Sequence, residues 1–310
     1  MTSILSQAKD FFPYTRDLRR DFHRHPELGF QEHRTAEIIV RELSNLEDMV
    51  IQTRIAGTGV VATLEGGKPG RLILLRFDMD ALPVTENTGV NYSSEKVGVM
   101  HACGHDGHLA IGLTTARLLH AGRENLPGTI KFVFQPAEEG LGGALAMIKE
   151  GILSDPIPDL VLSLHLWNEK PLGWIGITDG PMMSASETFH VQITGKGGHG
   201  GKPHEAIDPI VAAAGIINTL QSVVSREIPP LDSGVITVSS IHGGETHNVI
   251  PEEVTLSGTI RSFTVETRDL LLKRFHEVVE QTAAAYLCRT KVTIVNISPA
   301  VNNDPKIAAV

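Results

Sequence analysis

The segment Met-His-Ala-Cys-Gly-His-Asp-Gly-His at 100–108 sets Cys103 among His101, His105 and His108 on a glycine-rich stretch that leads into a helical pattern. Thiolate and imidazole together suit zinc or a similar transition metal. A buried cysteine beside a capped helix is the plainer alternative, but polar residues packed this densely have no packing reason to be there. The segment Gln-Pro-Ala-Glu-Glu-Gly at 135–140 adds the adjacent carboxylates Glu138 and Glu139 directly after an apolar run. Neighbouring residues in an irregular turn point in different directions, so one carboxylate can hold a metal while the other takes a proton from water. A Glu-Glu pair more commonly marks a solvated turn, and its place after a buried strand weakens that alternative.

His165 ends a second apolar run and precedes Leu166 and Trp167. A lone histidine there is ordinarily a satisfied core residue, and only the other segments turn it into a candidate ligand. Asp78 and Asp80, in Arg-Phe-Asp-Met-Asp-Ala-Leu-Pro at 76–83, follow a third apolar run. An aspartate so placed can accept the N–H of a metal-bound histidine and fix its tautomer. That role is weighed for Asp80 against turn formation, and Asp78 is expected to be structural. Further on, His199 stands in a glycine-dense loop at 195–204 and could polarise a carbonyl oxygen. Asn248 and Arg261 carry amide and guanidinium donors that suit a planar carboxylate, although an arginine at a strand end is often simply solvated.

These residues need a frame that brings them together. Helical spacing of apolar residues covers 7–24, 34–46, 109–119 and 144–150, and short apolar runs at 60–64, 72–75, 129–134 and 160–164 read as strands. Alternating helix and strand predicts an α/β domain built on a mixed, largely parallel sheet flanked by helices. In such sheets the sites lie beyond the carboxyl ends of the strands, where Asp78, Asp80, Glu138, Glu139 and His165 all fall. From about residue 184 the order changes to strand 188–194, helix 209–224, strands 235–241 and 254–263, helix 265–286 and strand 291–295. That is β-α-β-β-α-β, the signature of a compact α+β, ferredoxin-like domain. The expected division is therefore a catalytic domain at 1–183, a lid or dimerisation domain at 184–296, and the start of a return to the catalytic sheet at 297–310.

Composition narrows the function classes. A net charge of -9 without a basic run argues against nucleic acid as a partner. The first 20 residues intersperse charges among their apolar positions, and no charge-free apolar stretch reaches the ~18 residues of a membrane span, so a soluble cytoplasmic protein is expected. The two cysteines fit a reducing compartment.

Taken as a set and in this order, the segments at 19–28 (Arg-Arg-Asp-Phe-His-Arg-His-Pro-Glu-Leu), 76–83, 100–108, 135–140, 165–167, 195–204 and 247–261 resemble one family. It is the branch of the aminoacylase and metallo-carboxypeptidase superfamily that holds hippurate hydrolases, N-acyl-amino-acid amidohydrolases and indoleacetyl-amino-acid hydrolases. The resemblance implies a pair of divalent metals per subunit, Zn or Mn with Ni or Co possible, on Cys103, His105, Glu139 and His165. It further implies Glu138 as general acid and base, Asp80 in support, His199 reaching the site of a dimer partner, and Asn248 and Arg261 on the substrate, a small N-acyl amino acid. The homodimer would form through the lid domain. A dipeptidase or carboxypeptidase on the same fold is one alternative; a metal-binding, dimerising chain without activity is another. Such proteins supply one more histidine from a later segment, and no histidine lies beyond His276 here. The sequence, which reaches Val310 without a helix stop signal, is accordingly expected to be a C-terminally truncated chain.

Overall fold

Residues 7–24, expected as one helix, fold as parts of two in a computed structural model that describes residues 3–309. Helix α1 (Ile4–Asp10) stops where Pro13 would deny an amide N–H and clash with the carbonyl four residues back, and α2 (Phe12–Arg24) restarts with that proline in its first turn. Helix α3 (His33–Ser44) follows, and then strands β1 (Val50–Ile55), β2 (Gly59–Glu65) and β3 (Lys68–Asp78). Helix α4 (His105–Ala121) leads to β4 (Pro127–Gln135), α5 (Gly143–Lys149) and β5 (Leu160–Ser163). The sheet order is β1-β2-β4-β3-β5. Strands β3, β4 and β5 run parallel, while β1 and β2 are antiparallel additions at the other edge, giving the expected mixed α/β sheet.

Alternation along β4 explains the layers. Phe132 and Phe134 point to one face, where they pack with Phe77, Leu109, Leu113, Phe22 and Ile39 beneath α2, α3 and α4. Val133 points to the other face and joins Val61, Leu74 and Met147 of α5. The register aligns Asp78 with Gln135 and Arg76 with Ser163, so the carboxyl ends of the three parallel strands open on one edge. Whatever follows those ends is delivered to one place.

The chain divides into two compact units, the first ending at Leu172 and the second starting at Gly173. This seam is earlier than the change of pattern at 184 because β6 (Gly180–Met183) pairs with β13 (Val301–Asn303). In the second unit β7 (Ala185–Thr194), β8 (Gly198–His199), α6 (Pro209–Arg226), β9 (Gly234–His242), β10 (Val249–Ile250), β11 (Glu253–Ser262), α7 (Val265–Ala285) and β12 (Arg289–Ser298) precede β13, and α8 (Pro305–Ala308) comes last. The main sheet, β12-β7-β11-β9, is antiparallel throughout and completes the ferredoxin-like βαββαβ order. Phe189, Val191 and Ile193 bury one of its faces against α6 and α7, whereas His190 leaves the other polar.

Candidate metal centre

Three ligand types meet beyond the parallel strand ends of the first unit. Gly104, at φ +91°, turns the chain into α4 in a conformation that side-chain-bearing residues rarely adopt, and so brings Cys103 back beside His105. Cys103 Sγ lies 3.3 Å from His165 Nε2, just past β5. Candidate ligand atoms of Cys103, His105 and His165 fall within 4.8 Å of one another, as do those of His105, Glu138 and Glu139. His105 belongs to both groups. Its Nδ1 donates to the Asp80 carbonyl oxygen at 2.8 Å, which leaves the Nε2 lone pair directed at the cluster. Asp80 thus orients His105 mainly through its backbone, since its carboxylate Oδ1 is farther away, at 3.4 Å from the same nitrogen. The other carboxylate oxygen accepts the Glu139 N–H at 2.9 Å and holds the acidic turn.

The turn carrying Glu138 and Glu139 is strained and braced. Ala137 sits at φ 52°, a left-handed conformation costing roughly 1 kcal/mol for a residue with a side chain. Its N–H donates to the buried Glu32 carboxylate at 2.8 Å, and Thr58 donates to the other oxygen of the same group at 2.6 Å. Burial pushes the Glu32 carboxyl up despite those donors. Glu32 received no role from the sequence, because its partners lie on separate elements.

The electrostatics ask for a cation. His105 Nε2 and Glu139 Oε1 are buried without a hydrogen-bond partner, a costly state for polar atoms in a folded core. Burial should lower the His105 imidazole, yet Asp80, Cys103 and Asp78 together push it up to about 11. For Asp78, burial is outweighed by the His108 hydrogen bond and by the charges of Arg76 and His105, which hold it well below the usual carboxylate range. Hydrogen bonding to His105 and then to His165 holds the Cys103 thiol low, which favours thiolate. Burial pushes Glu138 up, with Glu139 adding to the effect and Arg76 opposing it. A divalent ion would meet a soft anion, two imidazoles and carboxylate oxygen, so the residues present fit a metal.

His108 is engaged elsewhere, with Asp78 Oδ1 at 2.5 Å and the Leu166 amide at 2.9 Å. A further set, the buried His23 and Asp106 with the partly exposed Arg19, ties α2 to the start of α4. Sequence reasoning singled out the segments that hold these four but gave none of them an individual role, although the His105 to His108 spacing already put both on one helical face. The second unit holds the remaining candidates. His199 pairs with Val249 between β8 and β10, Asn248 directly precedes β10, and Arg261 lies near the end of β11. All candidate metal-holding groups among the described residues belong to the first unit.

A mixed α/β sheet presenting such a cluster at its strand ends is the frame of a metal-dependent hydrolase. The chain belongs to peptidase family M20/M25/M40, whose family model matches residues 74–310. It is 40% identical to N-acetylcysteine deacetylase of Bacillus subtilis over 93% of this chain and 75% of that protein. It is 41% identical to IAA-amino acid hydrolase ILR1-like 2 of Arabidopsis thaliana over 97% of this chain and 69% of that one. A solved Bacillus subtilis structure, described as a dinuclear metal-binding peptidase of the M20 family, superposes with a TM-score of 0.82 at 35% identity. The match covers 97% of this chain and 78% of the solved one. The protein is a metal-dependent amidohydrolase.

Proposed function

We propose that this enzyme hydrolyses the amide bond of small N-acyl amino acids, with Cys103, His105, Glu139 and His165 as metal ligands and Glu138 as general base. The observation that carries the reading is the buried, partnerless His105 Nε2 facing a thiol, a second imidazole and two carboxylates. The names of the relatives, an N-acetylcysteine deacetylase and an IAA-amino acid hydrolase, support an acylated amino acid as the substrate class.

A divalent cation, Zn or Mn with Ni or Co also suited to these donors, would supply Lewis acidity, making water easier to deprotonate and an amide carbonyl more electrophilic. Glu138 removes the proton from the attacking water and returns it to the departing amine as the C–N bond breaks, leaving a carboxylate and a free amino acid. Asp80 keeps His105 in the tautomer that presents Nε2. His199 Nδ1 accepts the Gly201 N–H at 3.0 Å, so its Nε2 carries the proton and is a donor suited to a developing oxyanion. By the family resemblance that donor serves the neighbouring subunit of a homodimer formed through the second unit, and Asn248 and Arg261 hold the substrate carboxylate. Both cysteines are free, in keeping with a cytoplasmic enzyme. No helix among the described residues is long and apolar enough to cross a membrane.

Incubating the metal-loaded chain with N-benzoylglycine, N-acetyl amino acids and unblocked dipeptides tests the substrate class. Free amino acid should be released from the acylated compounds. Hydrolysis of the dipeptides alone would overturn the reading in favour of a dipeptidase.

A further inference from the structure

His108 is as buried as His105 and lies on the same face of α4, yet both of its nitrogens are taken. Nε2 sits 2.9 Å from the Leu166 backbone nitrogen, and a backbone N–H can only donate. Nε2 must therefore accept, and Nδ1 must carry the proton that goes to Asp78 Oδ1 at 2.5 Å. Asp78, His105 and His108 do bring ligand atoms within 4.8 Å of one another, but His108 has no lone pair left for a metal.

What these bonds do hold is a joint between elements. Arg76 donates to Gln135 at 2.8 Å and to Asp78 at 2.7 Å, so the ends of β4 and β3 are tied first to each other and then, through His108, to Leu166. The Leu166 side chain closes the same joint. A Cβ on Gly107 would come within 2.4 Å of Leu166 Cδ1, so α4 offers a bare patch of backbone on which that leucine rests. His165, one residue earlier, follows the short strand β5 in an exposed stretch without regular structure. Its Nδ1 faces the Leu166 carbonyl oxygen at 2.7 Å, leaving Nε2 toward Cys103.

We propose that His108 is a positioning residue, which pins the backbone beside His165 by accepting the Leu166 N–H while donating to Asp78, and so presents His165 to the metal. The proposal rests on the reading of Cys103 and His165 as ligands. Side-chain geometry offers a dissection. An asparagine amide nitrogen takes about the place of Nδ1 and keeps the bond to Asp78, whereas a glutamine amide oxygen takes about the place of Nε2 and keeps the acceptor for Leu166.

The experiment measures Co(II) affinity, and hydrogen exchange at the Leu166 amide in the metal-free chain, for His108→Asn, His108→Gln and His165→Ala. His108→Asn should exchange faster at Leu166 and bind Co(II) roughly 10- to 100-fold more weakly, the usual scale for groups that orient a ligand. His108→Gln should stay close to the unmodified chain in both measurements. Asparagine and glutamine variants that bind Co(II) alike, even with lowered unfolding temperatures, would make His108 merely structural and overturn the proposal. Undiminished Co(II) binding by His165→Ala would instead overturn the ligand reading, and the positioning role with it.

Discussion

Cys103 carries the softest donor in the cluster, and its two histidine neighbours already favour the thiolate that a metal requires. Cys103→Ser keeps the size and removes that donor, so metal affinity should fall at least about tenfold, or about 1.4 kcal/mol. Metal content after dialysis checks this, and unchanged content would remove Cys103 from the site. The grouping of this residue with histidine was legible in the sequence, because Cys103 and His105 stand two residues apart on one glycine-rich stretch. Other roles were not. For Asp80 the sequence left a histidine-orienting role and turn formation side by side; its carbonyl accepts the His105 N–H at 2.8 Å while its carboxylate lies at 3.4 Å, a matter of local backbone direction that composition does not encode. The tautomer of His108 depends on a Leu166 amide that only the fold brings near.

At the scale of elements, the N-terminus of α4 is the fixed point of the site, and its anchor is Asp106 in the first turn, where a carboxylate also suits the helix dipole. Asp106 forms an ion pair with Arg19 at 2.7 Å and accepts from His23 at 2.8 Å, both on α2, and His23 also faces Glu86 at 3.2 Å. Burial raises Asp106, but the His23 hydrogen bond and the charges of His101 and Arg19 outweigh it and set the carboxyl low. Burial likewise lowers His23, and its bond to Asp106 outweighs that and raises it. A depressed carboxyl stabilises the fold above about pH 4 and loses that contribution as pH falls through its folded value, whereas a raised imidazole stabilises below about pH 6.5 and loses it as pH rises through its own. Asp106→Asn should therefore cost about 3 kcal/mol, nearer the lower end for a broken buried pair because Arg19 is partly exposed. The deficit should be widest between about pH 4 and 6.5 and narrow on either side. Denaturant unfolding of the metal-free chain across pH measures it, and a deficit independent of pH would contradict the assignment. The sheet, its flanking helices and the βαββαβ order were readable from apolar periodicity. Strand β1 was not, since Val-Ile-Gln-Thr-Arg-Ile is half polar and lies on an exposed edge. Nor were the two-residue strands β8 and β10, which are too short to carry a pattern.

At the scale of the whole molecule, the candidate metal ligands belong to the first unit and His199 to the second. If His199 serves a partner's site, mixing inactive Glu138→Gln and His199→Ala chains should restore part of the activity, because some heterodimers then carry one intact composite site. No recovery under conditions of subunit exchange would confine His199 to its own chain or to no catalytic part. The division of labour between the two adjacent glutamates is decided by measuring bound metal and amide hydrolysis on the same samples of Glu138→Gln and Glu139→Gln. Glu138→Gln should keep its metal while turnover falls about 10²- to 10⁴-fold, since an amide cannot take the proton from water. Glu139→Gln should lose metal and activity together. Both variants keeping metal, both losing it, or undiminished turnover by Glu138→Gln would overturn these two roles.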